Sequence, residues 1–233
     1  MAWGKRRKGF WGWIGLLLRY GFTAVAGFFT LCLLLLVLYR FVNPPTTTVQ
    51  IQRWVESLGG ESDYSWRYRP LSGDAIDRDL RNAVVAAEDA RFFQHNGFDW
   101  VEVRRAREDA RRRGRQPRGA STLTQQLVKN LFLTTHRSWI RKGFEVPLTF
   151  MAELVLPKDR ILTLYLNVVE WGPEGVFGAE AGAQHHYNTS ASRLSREQAA
   201  RMAAVLPDPR RRRPQNAGQY SRTILTRMWQ MGY

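Results

Sequence analysis

Glu88-Asp89-Ala90-Arg91-Phe92-Phe93-Gln94-His95-Asn96-Gly97 closes a segment in which Ile76, Leu80, Val84 and Ala87 recur near spacing four. That period puts the four on one face of a helix. The stretch predicts a helix that runs into the acidic pair and stops by Gly97, a residue suited to a left-handed cap. On such a helix Glu88, Phe92 and His95 share a side, while Asp89 points about 100° away. Buried helices seldom carry this many polar side chains, because each needs a partner or water. The expected arrangement is one carboxylate facing a cleft as general base or acid, its neighbour capping or pairing. A solvated helix end with a packing histidine is the plainer alternative.

The segments that follow favour the cleft. Gly119-Ala120-Ser121-Thr122-Leu123-Thr124-Gln125-Gln126 predicts a helix capped by Ser121, with Leu123, Leu127 and Leu131 turned inward. Backbone N–H groups at such a start suit an anion, and Thr122, Gln125 and Gln126 suit sugar hydroxyls and amides. Lys129, Arg137, Arg141, Lys142 and Glu145 come next. Arg141 and Glu145 have the spacing of a surface ion pair; the sharper reading is a phosphate clamp, arginine giving a fork and lysine a point charge.

Further stripes continue the helical pattern. Ile140, Phe144, Leu148, Met151 and Val155 form one, interrupted by Pro147; Pro157 opens another, with Ile161, Leu164, Tyr165 and Val168 inward. Ser195 and Gln198 form a capping box for a helix that ends before Pro207, and residues 220–231 make the last one. There is no train of alternating strands and no repeat, so the fold class is all-α or mainly α. The arginine-rich stretch from Arg104 to Arg118 and the run from Arg210 to Arg213 read as solvated or membrane-facing loops.

Residues 20–39 are uncharged and largely Leu, Val, Phe and Ala. Twenty residues at about 1.5 Å each match a hydrocarbon core of roughly 30 Å. The run ends in Tyr39-Arg40-Phe41-Val42-Asn43-Pro44-Pro45, which offers no small-residue cleavage site. An uncleaved anchor is expected. Lys5, Arg6, Arg7, Lys8 and Arg19 precede it and only Arg40 follows closely, so the N-terminus is expected in the cytoplasm and the remainder outside. This organises the 233 residues as a basic tail and anchor over 1–42, a linker and membrane-proximal segment over 43–65 with a helix at 49–58, and one domain over 66–233.

The formal charge is +15, and without the six cations up to Arg40 there remain 29 against 20 acids. An exported basic domain points to an anionic membrane surface or a phosphate-bearing substrate rather than nucleic acid. The one cysteine, Cys32, lies in the apolar run, so neither an intrachain disulfide nor a zinc constellation forms, and His185 and His186 are adjacent. No Walker loop, dinucleotide fingerprint, Gly-x-Ser-x-Gly elbow, Ser-x-x-Lys or Lys-Thr-Gly is present.

Four ordered blocks resemble the peptidoglycan glycosyltransferase family (glycosyltransferase family 51), above all its single-domain members. They are Glu88-Asp89-x-x-Phe92-x-x-His95-x-Gly97, Gly119-x-Ser121-Thr122-x-Thr124-Gln125-Gln126, Arg141-Lys142-x-x-Glu145 and Arg160-Ile161-Leu162-x-x-Tyr165-Leu166-Asn167. The likeness covers roughly residues 70–214. It implies a lysozyme-like α fold of two lobes, the smaller touching the membrane, at the bacterial inner membrane with the catalytic domain periplasmic. It also implies polymerisation of lipid II, a disaccharide-pentapeptide on undecaprenyl diphosphate, into β-1,4-linked strands. Carried onto this chain, Glu88 is the base for the acceptor's 4-hydroxyl. Lys129, Arg137 and Arg141 steady the departing diphosphate, and Glu145 organises them or a divalent cation such as Mg2+ or Mn2+. Lys142, Ser121, Thr122, Gln125, Gln126, His95 and Asn167 join the expected substrate site. The implied partners are lipid II, the growing strand, membrane lipid, and division or elongation proteins of the cell wall. A lysozyme-like hydrolase and a non-catalytic membrane scaffold are the rival readings. The first needs no phosphate clamp; the second tolerates loss of the Glu88 carboxylate.

Overall fold

The computed structural model describes residues 10–59, 64–116, 119, 121–136 and 138–233. Helices dominate them. α1 (Phe10–Tyr39) contains Trp11–Tyr39, a span long and apolar enough to cross a membrane. α2 (Thr48–Ser57) begins with a reciprocal capping box between Thr47 and Gln50, and Thr48 Oγ1 donates to Leu131 O at 2.9 Å.

The other helices fall into two groups. α3 (Arg78–Glu88), α9 (Arg196–Ala203) and α10 (Gly218–Gln230) pack together. α5 (Leu123–Phe132), α6 (Trp139–Val155) and α7 (Lys158–Val168) form the second group, with α1 laid on α6 and α2 on α5. Leu80, Leu123, Leu127, Leu148, Ile161 and Leu164 have no more than a trace of exposed surface and belong to one core. Each such burial contributes about 1.5–3 kcal/mol. The mainly helical, lysozyme-like expectation holds.

A small sheet, too short for sequence periodicity to reveal, accompanies the helices. β1 (Arg67–Tyr68), β2 (Glu170–Gly172) and β3 (Val176–Phe177) lie in the order β1-β3-β2, β1 parallel and β2 antiparallel to β3. α8 (Ala179–Tyr187) follows directly. At the β3–α8 junction Gly178 has φ +85°, and a Cβ there would stand 2.7 Å from Asn167 O. Only glycine fits that approach.

Four local expectations are corrected. α3 does not run on to Gly97: it stops at Glu88, Asp89 turns out of helical geometry at φ −159°, and Phe92–Gln94 is a separate 3-10 turn. Glu88, Phe92 and His95 therefore do not share a helix face. The arginine-rich stretch is not a loop through most of its length but α4 (Trp100–Arg113). Asp99 caps it by accepting from Val101 and Glu102 N–H, and left-handed Gly114 ends it; Arg118 is outside the described residues. Thr122, not Ser121, caps α5, in a capping box with Gln125. Finally, Pro147 sits inside α6 without dividing it.

Candidate active site

The end of α3 and the start of α5 meet through Asp89. Its carboxylate accepts from Leu123 N at 3.0 Å, in the first turn of α5, and pairs with His95 Nε2 at 3.0 and 3.1 Å. A carboxylate at a helix N-terminus is favoured by the dipole and satisfies an orphan donor. This contact lays Glu88, the last residue of α3, beside α5. Gln126 Nε2 donates to Glu88 Oε2 at 2.9 Å, and Tyr165 Oη donates to Gln126 Oε1 at 2.9 Å. Tyr165 is fully buried; burial first, and then the charge of Glu88, holds its phenol well above the usual range. It stays a hydroxyl donor and fixes which end of the Gln126 amide faces Glu88.

The cations gather one turn further along α5. Glu145 on α6 is buried, its Oε1 bonded by Lys142 and its Oε2 by Arg141 at 3.3 Å. Lys129 stands close enough to feel Arg141, Glu145 and Glu88. Burial above all, then Arg141, lowers its ammonium below the ordinary lysine range, and the two carboxylates oppose that shift. Gln125, Gln126, Lys129, Arg141, Lys142 and Glu145 line a cavity of about 270 Å³. Arg141 Nε is buried there with no hydrogen-bond acceptor among the described residues. A second cavity of about 250 Å³ is lined by Glu88, Asp89, Arg91, Arg105 and Arg227, and Ser121 stands at the edge of both. Two neighbouring cavities thus meet at Ser121, one holding Glu88 and the other lined by Lys129, Arg141 and Lys142.

The expected site residues divide accordingly. Glu88, Ser121, Gln125, Gln126, Lys129, Arg141, Lys142 and Glu145 come together, though Thr122 and Gln125 are also engaged in capping α5. Arg137 is outside the described residues. His95 faces away from the cations, locked on Asp89 with its side chain 7% exposed. Asn167 is fully buried, its amide clasping both the N–H and the carbonyl of Leu71 at 2.9 and 2.8 Å. Both positions shape the backbone rather than line the groove. Sequence reading took Tyr165 for packing alone; the signal available was that a buried tyrosine hydroxyl needs a partner. Arg105 and Arg227, also missed, lay in a run and a helix that no local pattern tied to Glu88.

Asp89, His95 and Asp99 also offer ligand atoms within 4.8 Å of one another. Their oxygens are already engaged, Asp99 by Val101 and Glu102 N–H and by Arg91, and Asp89 as described. The cluster reads as a structural network.

The Tyr165–Gln126–Glu88 chain predicts that Tyr165→Phe keeps the fold and lowers the catalytic rate constant about tenfold with KM little changed. Without the hydroxyl the amide can turn its oxygen toward the carboxylate. Steady-state kinetics indistinguishable from wild type would remove the relay.

Comparison with known proteins agrees with this architecture. The family model described as Transglycosylase matches residues 57–229. The chain is 49% identical over 180 residues to the biosynthetic peptidoglycan transglycosylase of Bordetella pertussis, covering 76% of this chain and 74% of that one. It is 48% identical over 199 residues to the protein of that name from Stutzerimonas stutzeri (84% and 79% covered). With that of Chromohalobacter salexigens the identity is 46% over 200 residues (85% and 84% covered). The helical groove with its carboxylate and cations, and likeness over most of both chains, give one conclusion: the protein belongs to the transglycosylase family, the glycosyltransferases of peptidoglycan synthesis.

Proposed function

We propose that the chain polymerises lipid II, with Glu88 as the general base and Lys129, Arg141 and Lys142 as the cradle of the diphosphate leaving group. The observation that carries this is the closeness of Gln126-held Glu88 to Lys129 and to the cavity that Lys129, Arg141 and Lys142 line. Glu88 takes the proton of the acceptor's 4-hydroxyl as that oxygen bonds to the donor's anomeric carbon. The carbon–oxygen bond to the diphosphate breaks, its electron pair leaves with the diphosphate, and the configuration inverts to β-1,4. Fixed cations in a partly buried site stabilise that developing charge without reorganising.

Glu145 serves this cradle indirectly. Both of its oxygens are bonded to Arg141 and Lys142, so it holds the two cations in place. The residues around it do not fit a divalent cation, since cations already occupy the carboxylate's coordinating positions; no step is routed through a metal.

α1 and α6 support the membrane setting of this reaction. Phe28 and Phe29 lie 5.5 Å from Phe144, while Arg40 donates to Val155 O, so the two helices run parallel. Eleven residues separate Phe29 from Arg40, about 16 Å of helix. With α1 spanning the inner membrane, N-terminus cytoplasmic, the first half of α6 lies alongside the membrane-spanning part of α1. Trp139 and Ile140, 91% and 77% exposed, then face lipid.

Three outcomes are expected. Glu88→Gln should abolish strand formation from lipid II in detergent, a loss of about 100- to 10,000-fold, with an unchanged circular dichroism spectrum; full activity on a glycan gel discards the mechanism. Because Lys129 loses its proton at lower pH than an ordinary lysine, kcat/KM should fall on the alkaline side as the cradle loses charge. Lys129→Arg, which stays charged, should move that limb to higher pH, and a limb that does not move means Lys129 does not set it. A nitroxide at Trp139→Cys, with Cys32→Ala, should show the oxygen accessibility of hydrocarbon in bilayers. A water-like value would lift α6 out of the membrane.

A further inference from the structure

The run Arg210 to Arg213, which the sequence leaves as a solvated or membrane-facing loop, instead edges a cavity of about 570 Å³. Arg211, Arg212 and Arg213 form one wall; Gln219, Tyr220 and Thr223 of α10 form the other, and no carboxylate lines it. Two of the arginines are held in place. Arg212 Nη1 donates to Ala204 O at 3.3 Å and its guanidinium lies 6.0 Å from the centre of the Tyr220 ring. Arg213 Nη1 donates to His185 Nε2 at 3.3 Å. Among the described residues, none of the three forms an ion pair with an acid. Three uncompensated guanidinium groups, two of them oriented, around a walled space suit carboxylates, which they can grip with paired N–H bonds.

Position along α10 says whose carboxylates. Tyr220, Thr223 and Arg227 follow at intervals of three and four and share a face. The first two line the arginine cavity, while Arg227 lines the cavity of Glu88 and donates to Ala86 O. Tyr220 Oη reaches Ala87 O at 3.4 Å, the carbonyl of the residue before Glu88. Thr223 and Arg227 are four residues apart, about 6 Å along the axis. A sugar whose hydroxyl sits at Glu88 can thus extend a substituent along α10 into the cavity within one or two helical turns. Lipid headgroups fit less well, because the cavity belongs to the α3–α9–α10 group and the membrane helix packs on the other.

We propose that this cavity binds the carboxylates of the peptide stem on the acceptor sugar, an inference that rests on the lipid II reading above. The stem's anionic groups anchor in the arginine wall and steady the 4-hydroxyl at Glu88. The site recognises acceptor chemistry that the diphosphate cradle cannot see.

The test compares the full-length chain with Arg211→Gln/Arg212→Gln/Arg213→Gln and, separately, with Thr223→Asp, which sets a negative charge in the opposite wall. Each is assayed on lipid II with free stem carboxylates and on the same molecule with those carboxylates amidated. Wild type should prefer the free acid by about tenfold in kcat/KM, the worth of one charge-assisted hydrogen bond. Both variants should bring the ratio near one, chiefly through KM. Should the triple variant misfold, exposed Thr223→Asp decides alone. A wild-type ratio of one, or a ratio unchanged in folded variants, overturns the inference while polymerisation itself upholds the lipid II reading. Loss of binding to anionic vesicles with the substrate ratio intact also overturns it, assigning the arginines to lipid. Wild type inactive on both substrates sinks the lipid II reading and this inference together.

Discussion

One buried carboxylate holds the site's two halves in register. Asp89 leaves helical geometry immediately after Glu88 and turns its side chain into the first turn of α5, where it meets Leu123 N and His95 Nε2. A charge removed from water is tolerable only with such partners, and a helix N-terminus supplies both donors and a favourable dipole. The consequence is positional. α3 must end at Glu88, and Glu88 must lie beside Gln126 one turn into α5. Were α3 to continue, Asp89 would lose its reach and the groove its Glu88 carboxylate.

A second constraint is electrostatic. Glu145 is buried among cations, which would be costly for an isolated ion and is tolerated because Arg141 and Lys142 each bond one of its oxygens. That leaves the cradle with more positive than negative charge around a cavity containing an orphaned Arg141 Nε. Such a site is primed for an anion and unfavourable without one. The burial that lowers the Lys129 ammonium is the same burial that strengthens each cation's pull on an anion.

Much of this was legible in the chain. The apolar run gave the membrane-crossing helix, the period-four stripes gave α3, α5, α6 and α7, and Ser195 with Gln198 gave the start of α9. Lys129, Arg141, Lys142 and Glu145 read as a clamp because spacings of three and four place them on neighbouring helical faces. The misreadings share one cause. His95 and Asn167 looked like site residues because polar groups within a motif invite that reading, whereas His95 is held by Asp89 six residues before it and Asn167 by the backbone of Leu71, ninety-six residues away. α4 looked like a loop because its arginines lack an apolar stripe, although Asp99 and Gly114 are ordinary start and stop residues.

Local propensity and hydrophobic period act over a turn or two of chain, so the sequence alone determined the long apolar helix, the helical class and the order of the helices. Contacts between distant segments decided the rest: where α3 stops, which face Glu88 presents, that Tyr165 governs Gln126 across thirty-nine residues, and that three arginines near the C-terminus edge a cavity on the helix flanking Glu88. Those choices depend on which buried donor meets which acceptor once the core has closed, and no window along the chain contains both partners.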